Sequence, residues 1–267
     1  MNPNKIALML GGTMLVAVSS ARSAIIITYG SPGAMSSTVP DAPVEDFNNP
    51  TLLGKDSNLS WSGVGTINSV YIRTADMYGG ANNSDYAVQS MWVGEPNEVP
   101  NSTLVLNSSS AYFGLWWSAG DANNVMSFYQ GNVLEAQFTT AQVMADLPSS
   151  YNGNPNVQFK KLDYHEDFAY LNFYGSAGTS WNKIVFSNLG TSGFESDNWT
   201  SRVAPWGQDP NDVGSYPGTQ VQQIEVTSVP EVPVTGLFMG LGCLAIAGWS
   251  CRRGKSAPAI ADQAAHV

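Results

Sequence analysis

Residues 111–139 read AYFGLWWSAGDANNVMSFYQGNVLEAQFT. Three runs of strand character lie here, 111–118, 124–130 and 133–139, rich in aromatic and β-branched residues and separated by Gly, Asp and Asn. Only Gly131-Asn132 stands between the second run and the third, the spacing of a tight hairpin. Successive strand side chains point to opposite faces, so the adjacent Trp116 and Trp117 cannot share one. Phe113, Leu115 and Trp117 form the predicted core set. Tyr112, Gly114 and Trp116 then face the other way. Residues 140–147 (TAQVMADL) predict one short helix, stopped by Pro148.

The same alternation spreads outward, to 25–29, 67–75, 86–93 and 102–108 upstream and to 157–164, 168–175, 181–188 and 219–228 downstream. In FAYLNFYG (168–175), Ala169, Leu171 and Phe173 are the inward set, which leaves Tyr170, Asn172 and Tyr174 outward. Clusters of Gly, Asn, Ser and Pro fill the gaps, and no repeat period stands out. Many short strands joined by polar turns predict an all-β domain over residues 25–228. Its expected form is a jelly-roll-like β-sandwich with one short helix, with a barrel as the alternative.

Composition agrees. Charged residues are 12% of the 267, against about 25% in ordinary soluble chains. The polar surface must be built from Asn, Ser, Thr, Gln and Gly, which favours turns and strands over exposed helices. Five of the 11 Lys and Arg lie in the terminal segments, with only two of the 21 acids. The middle therefore keeps six bases against 19 acids, a net charge of −13. Phosphate backbones need a positive patch, so nucleic acid is excluded as a partner. Both cysteines, Cys243 and Cys251, lie near the C-terminus. The main domain thus has no thiol nucleophile and no Cys-based zinc site.

The two ends carry addresses. Residues 1–24 (MNPNKIALMLGGTMLVAVSSARSA) place Lys5 before a short apolar run and small residues, the pattern of a secretory signal peptide. Cleavage could follow Ala21, Ser23 or Ala24. At the other end, Val229-Pro230-Glu231-Val232-Pro233 precedes an apolar run at 234–250, and Arg252, Arg253 and Lys255 follow. That run is about 25 Å long as a helix, close to a hydrocarbon core, and the basic stop places the tail at 254–267 in the cytoplasm. The expected topology is an exported domain with one C-terminal membrane helix.

The order Val229-Pro230-Glu231, glycine-rich apolar run, Arg252-Arg253 resembles the PEP-CTERM sorting signal, here spanning 229–253. The resemblance implies a Gram-negative bacterium that makes exopolysaccharide. It implies an inner-membrane intermediate and processing near the Pro-Glu motif by the transpeptidase exosortase. The destination would be the cell surface or extracellular matrix. Prolines keep such a segment extended and accessible. The usual motif is Val-Pro-Glu-Pro; here Val232 intervenes and the second proline slips to Pro233, and the tail is longer than usual. The stretch YFGLWWSAGDANNVMSFYQGN (112–132), the short helix, WNKIVFSN and GFESDNW (193–199) also resemble ectodomains of that family, more loosely.

The middle offers little chemistry. There is no G-x-S-x-G elbow. His165 stands alone, and His165-Glu166 lacks the second histidine of a zincin, since Ala169 occupies its place. Asp209 and Asn211 match part of a calcium loop, but Val213 replaces the next ligand. Asp163, Glu166 and Asp167 form a second acidic turn that could hold a cation. Glu135, Glu166 and Glu195 are available for a glycosidase pair, which the sequence does not assemble. Glu195-Ser-Asp197-Asn198 reads as a turn fixed by its own side chains. The aromatics suggest a glycan platform of Tyr112, Trp116, Tyr170, Asn172 and Tyr174. The expectation is a non-enzymatic, exosortase-sorted surface or matrix protein without a cofactor or bound metal, structural or polysaccharide-binding. A glycan hydrolase using a carboxylate pair, or an unprocessed membrane-anchored periplasmic domain, is the alternative.

Overall fold

The computed structural model describes residues 24–54, 56–90, 99–160, 162–176, 178–190, 192–208, 212 and 214–225. The signal segment 1–23, the motif Val229 to Pro233, the apolar run 234–250, Arg252, Arg253 and Lys255, and both calcium candidates, Asp209 and Asn211, lie outside them. No helix among the described residues is long and apolar enough to cross a membrane.

Thirteen strands follow in chain order: β1 (Ala24–Tyr29), β2 (Val44–Glu45), β3 (Asp56–Trp61), β4 (Gly65–Arg73), β5 (Tyr86–Ser90), β6 (Asn101–Ser110), β7 (Tyr112–Gly120), β8 (Asn124–Gln130), β9 (Val133–Thr139), β10 (Asp167–Ser176), β11 (Trp181–Asn188), β12 (Gly193–Arg202) and β13 (Thr219–Glu225). One helical turn, α1 (Ala141–Met144), lies between β9 and β10. Strand pairing is antiparallel, in the order β13-β1-β10-β7-β12-β5-β4-β6-β11-β8-β9. The expected all-β domain with one short helix is present. Its strands form one curled sheet that folds back on itself, rather than two separate sheets.

The fold-back happens at β4. Its first half pairs with β6 and its second half with β5, while β3 runs along its other side. Ser69 sits at the change of partner with φ at 53°. Its N–H donates to Asn58 Oδ1 at 3.3 Å, and its carbonyl accepts from Ser102 Oγ at 2.6 Å. The layer β13-β1-β10-β7-β12 then faces the layer β3-β4-β6-β11-β8-β9. Inward side chains fill the space: Phe113 meets Phe186 at 5.7 Å, and Phe173 meets Phe128 at 5.2 Å and Phe138 at 5.1 Å. Phe186 stacks on Trp199 at 4.1 Å. Such pairs add about 0.5–1.5 kcal/mol each beyond the area they bury. The predicted inward residues Phe113, Leu115, Trp117, Ala169, Leu171 and Phe173 all belong to this core.

Strands β2 and β3 have no counterpart in the expected reading, and two further segments differ from it. Residues 157–164 are not a strand. Val157–Phe159 is a single 3-10 turn, and Val157 is 88% exposed. Asparagines take the backbone bonds: Asn154 Oδ1 accepts from Asn156 N at 2.9 Å, and Asn156 Oδ1 from Gln158 N at 3.3 Å. Short polar side chains of this kind compete with a strand ladder. Conversely, GFESDNW is no turn. It opens β12, which pairs with β5 and β7. Its Asp-Asn step is accommodated by a bulge between Asp197 and Thr200, where Asn198 has φ at 49°.

Candidate functional site

Tyr112, Trp116, Tyr170, Asn172 and Tyr174 share the outer face of the first layer, the side the alternation predicts. They do not meet solvent: none is more than 4% exposed. Three segments cover them. Ala34, Met35 and Ala81 pack with Trp116 and Tyr170; Val39, Trp206 and Tyr216 pack with Tyr112 and Tyr174. The polar tips are paired beneath this cover. Tyr112 Oη bonds with Ser37 Oγ at 2.6 Å and donates to Asn172 Oδ1 at 2.9 Å, and Asn172 Nδ2 donates to Thr28 Oγ1 at 3.2 Å. Tyr170 Oη bonds with Thr200 Oγ1 at 2.6 Å. Burial pushes the hydroxyls of Tyr112 and Tyr170 up, so both remain neutral. Gly114 makes the room: a Cβ there would fall within 3 Å of the hydroxyls of Tyr112, Tyr170 and Thr200. The five residues form a second, polar core, so their ring faces are closed to a sugar.

Asp197 ties the cover down. Its carboxylate accepts from Ala81 N at 2.7 Å, from Asn198 N at 2.6 Å and from Ser84 Oγ. Burial still pushes its carboxyl up to about 8, against the pull of those donors. Arg202 fastens the segment around Trp206 through a two-pronged pair with Asp212, at 2.8 and 2.9 Å. The side-chain-to-backbone role expected for Asp197 and Asn198 is present, on a bulged strand.

The carboxylates are only partly brought together. Glu166 is half-buried in the turn before β10, and its carboxyl is pushed up to about 8, first by burial and then by its bond to Asp163. Asp121 lies close enough to push both Glu166 and Glu195 upward, and Glu166 acts on Glu195 in the same direction. Glu195 is 9% exposed and stands opposite Ser118 in the β12–β7 register; burial holds it protonated. Glu135 lies on β9 and is not among the groups that act on Glu166 or Glu195. Asp167 Oδ1 accepts from Asn152 Nδ2 at 2.9 Å. No group of three His, Cys, Asp or Glu among the described residues is arranged to hold a metal ion, so the cation reading of Asp163, Glu166 and Asp167 is not supported. His165 is exposed, its ring 3.9 Å from that of Tyr164. A cleft of about 230 Å3 lies between the ends of β6 and β12, lined by Ser108, Ser110 and Ser201 among others and by none of the four clustered carboxylates.

Sequence reasoning passed over the face that is open. The outer side of the second layer carries two rows of side chains fixed by register. Ser60, Thr66, Val105, Lys183, Tyr129 and Leu134 form one row, from β3 across to β9. Asn68, Thr103, Val185, Ser127 and Gln137 form the next. Val105 is 43% exposed and Leu134 41%, and Ser60, Thr66, Asn68 and Gln137 are exposed as well. Lys183 is the only charge in either row, and its Nζ lies 4.3 Å over the Tyr129 ring. The signal in the sequence was the run of Ser, Thr, Asn and Gln at alternate positions of ordinary strands.

The chain matches no protein-family model, and no curated protein is similar to it. One solved structure is similar, the catalytic domain of a GH87 alpha-1,3-glucanase in complex with tetrasaccharides. It shares 13% identity at a TM-score of 0.29, over 72% of this chain and 31% of that one. This chain thus spans about a third of the matched chain's length.

Proposed function

We propose that the protein is exported and sorted to the surface or extracellular matrix of an exopolysaccharide-producing Gram-negative bacterium, as a non-enzymatic component that contacts matrix polysaccharide. The observation that carries this reading is the Val229-Pro230-Glu231 motif, followed by the apolar run and Arg252-Arg253, on a chain that opens with a signal-peptide pattern. The β-body is consistent with it. Ala24, at the start of β1, is the register partner of Glu225, at the end of β13. The chain therefore enters and leaves the body at one end, which suits export from the N-terminal side and tethering from the C-terminal side. We include in the proposal that the curled sheet is a jelly-roll variant, since β1–β10, β6–β11 and β7–β12 pair across long stretches of sequence.

Exosortase and, transiently, the inner membrane are the implied partners. The test is Pro230→Ala with Glu231→Ala in the source cells. The variant is expected to accumulate at full length in the inner membrane, while the wild type leaves it. Equal release of both would remove exosortase sorting from the account. The hydrolase alternative draws on the Asp121, Glu166 and Glu195 group, where a protonated acid stands beside other carboxyls. Reducing-end release from the host polysaccharide, abolished by Glu166→Gln, would replace the non-enzymatic reading.

A further inference from the structure

We propose that the open outer face of the β3-β4-β6-β11-β8-β9 layer is where an uncharged polysaccharide chain lies. The proposal rests on the polysaccharide-contacting reading above and names the surface and the ligand class. Charge argues for it first. The middle of the chain carries a net −13, yet the two rows themselves hold no carboxylate; Glu135 stands beside them, at the bulge of β9 next to Leu134. Its one ammonium, on Lys183, is placed over Tyr129. An anionic polymer would be repelled by the domain as a whole, and a cationic one would be drawn to the acidic turns instead. This face offers hydroxyls and amides.

Those groups both donate and accept, as sugar hydroxyls do. Thr66, Thr103 and Gln137 stand on three different strands of the layer. Ser127 is buried beneath Gln137 and accepts from its Nε2 at 3.0 Å, which fixes the Gln137 amide in place. Strand spacing makes six strands roughly 24 Å wide, enough for an extended oligosaccharide crossing the strands. Val105 and Leu134 supply apolar patches for the C–H faces of the sugar rings. The opposite face of the molecule cannot serve, because its aromatics are closed over.

The test is affinity electrophoresis of the full chain in gels holding dextran or hydroxyethyl cellulose, both uncharged, with alginate as the anionic comparison. Wild type is expected to be retarded by an uncharged polymer. Thr66→Arg with Gln137→Arg, and separately Val105→Glu, are expected to weaken retardation at least about tenfold in apparent Kd. Thermal melting of each variant establishes that it is folded. Folded variants with wild-type retardation would overturn the face while leaving polysaccharide contact intact. No retardation of wild type by either neutral polymer would count against polysaccharide contact itself. Retardation by alginate alone would overturn the uncharged ligand. A concentration-dependent dimer lost in the same variants would make a second copy the occupant, and the proposal would fail.

Discussion

Trp116 looks, in the sequence, like a ring offered to a ligand. It is 0% exposed, and its neighbour Phe168 lies at 5.9 Å. Trp116→Ala is therefore expected to cost about 3–5 kcal/mol of stability, as for other buried aromatics, read by chemical denaturation. A variant as stable as wild type would mean the cover over this face is not in place. Asp197 makes the second argument at this scale. Its raised carboxyl means the folded chain holds a proton that the unfolded chain releases, and Glu166 adds to the effect. That contribution is complete below about pH 4 and is lost as pH rises through about 8. Melting temperature is expected to fall over that window, with a shallower slope in Asp197→Asn. The variant's overall stability is expected to drop by about 1–3 kcal/mol, because the amide has one acceptor oxygen where the carboxyl group uses both of its oxygens to meet three donors.

Among the elements, β4 carries the architecture, because one strand serves both layers. Gly65 lies at its closest approach to β6: a Cβ there would stand 2.2 Å from the Val105 carbonyl oxygen. Gly65→Ala must push two backbones apart, and about 1–3 kcal/mol of destabilisation is expected in a denaturant titration. At β1, Ala24 is fully buried, and its carbonyl accepts from Ser176 Oγ at 3.1 Å. Signal cleavage after Ser23 would leave a new ammonium on a buried residue, and cleavage after Ala24 would shorten β1. Cleavage after Ala21 is expected, giving Arg22 as the first residue in N-terminal sequencing; a start at Ala24 or Ile25 would contradict this. Strands with outward polar and inward apolar residues, such as β6, β8 and β11, were legible because alternation is a local property. Residues 157–164 misled because Asn154 and Asn156 capture the backbone, which a pattern of apolar positions does not register. β12 was hidden by its own bulge, since Asp-Asn reads as a turn until β5 and β7 are seen to pair on either side.

For the molecule as a whole, the outward facing of Tyr112, Tyr170 and Tyr174 was legible, but their burial was not. The covering residues, among them Ala34, Met35, Val39, Ala81, Trp206 and Tyr216, come from distant parts of the chain and are held beside polar contacts such as Arg202 with Asp212. The open face was missed for the opposite reason. Ser, Thr, Asn and Gln on a strand look like ordinary surface until register aligns them across six strands. The body has one closed face and one open face, and its first and last strands meet at one end. That arrangement suits a unit delivered by one terminal address and released by the other.

The most direct test of this account is the intact mass of the protein recovered from its own cells, together with the fraction that yields it. The account predicts a chain that ends between Val229 and Pro233, found at the surface or in the medium. A mass running through Val267, recovered from the inner membrane, would contradict it.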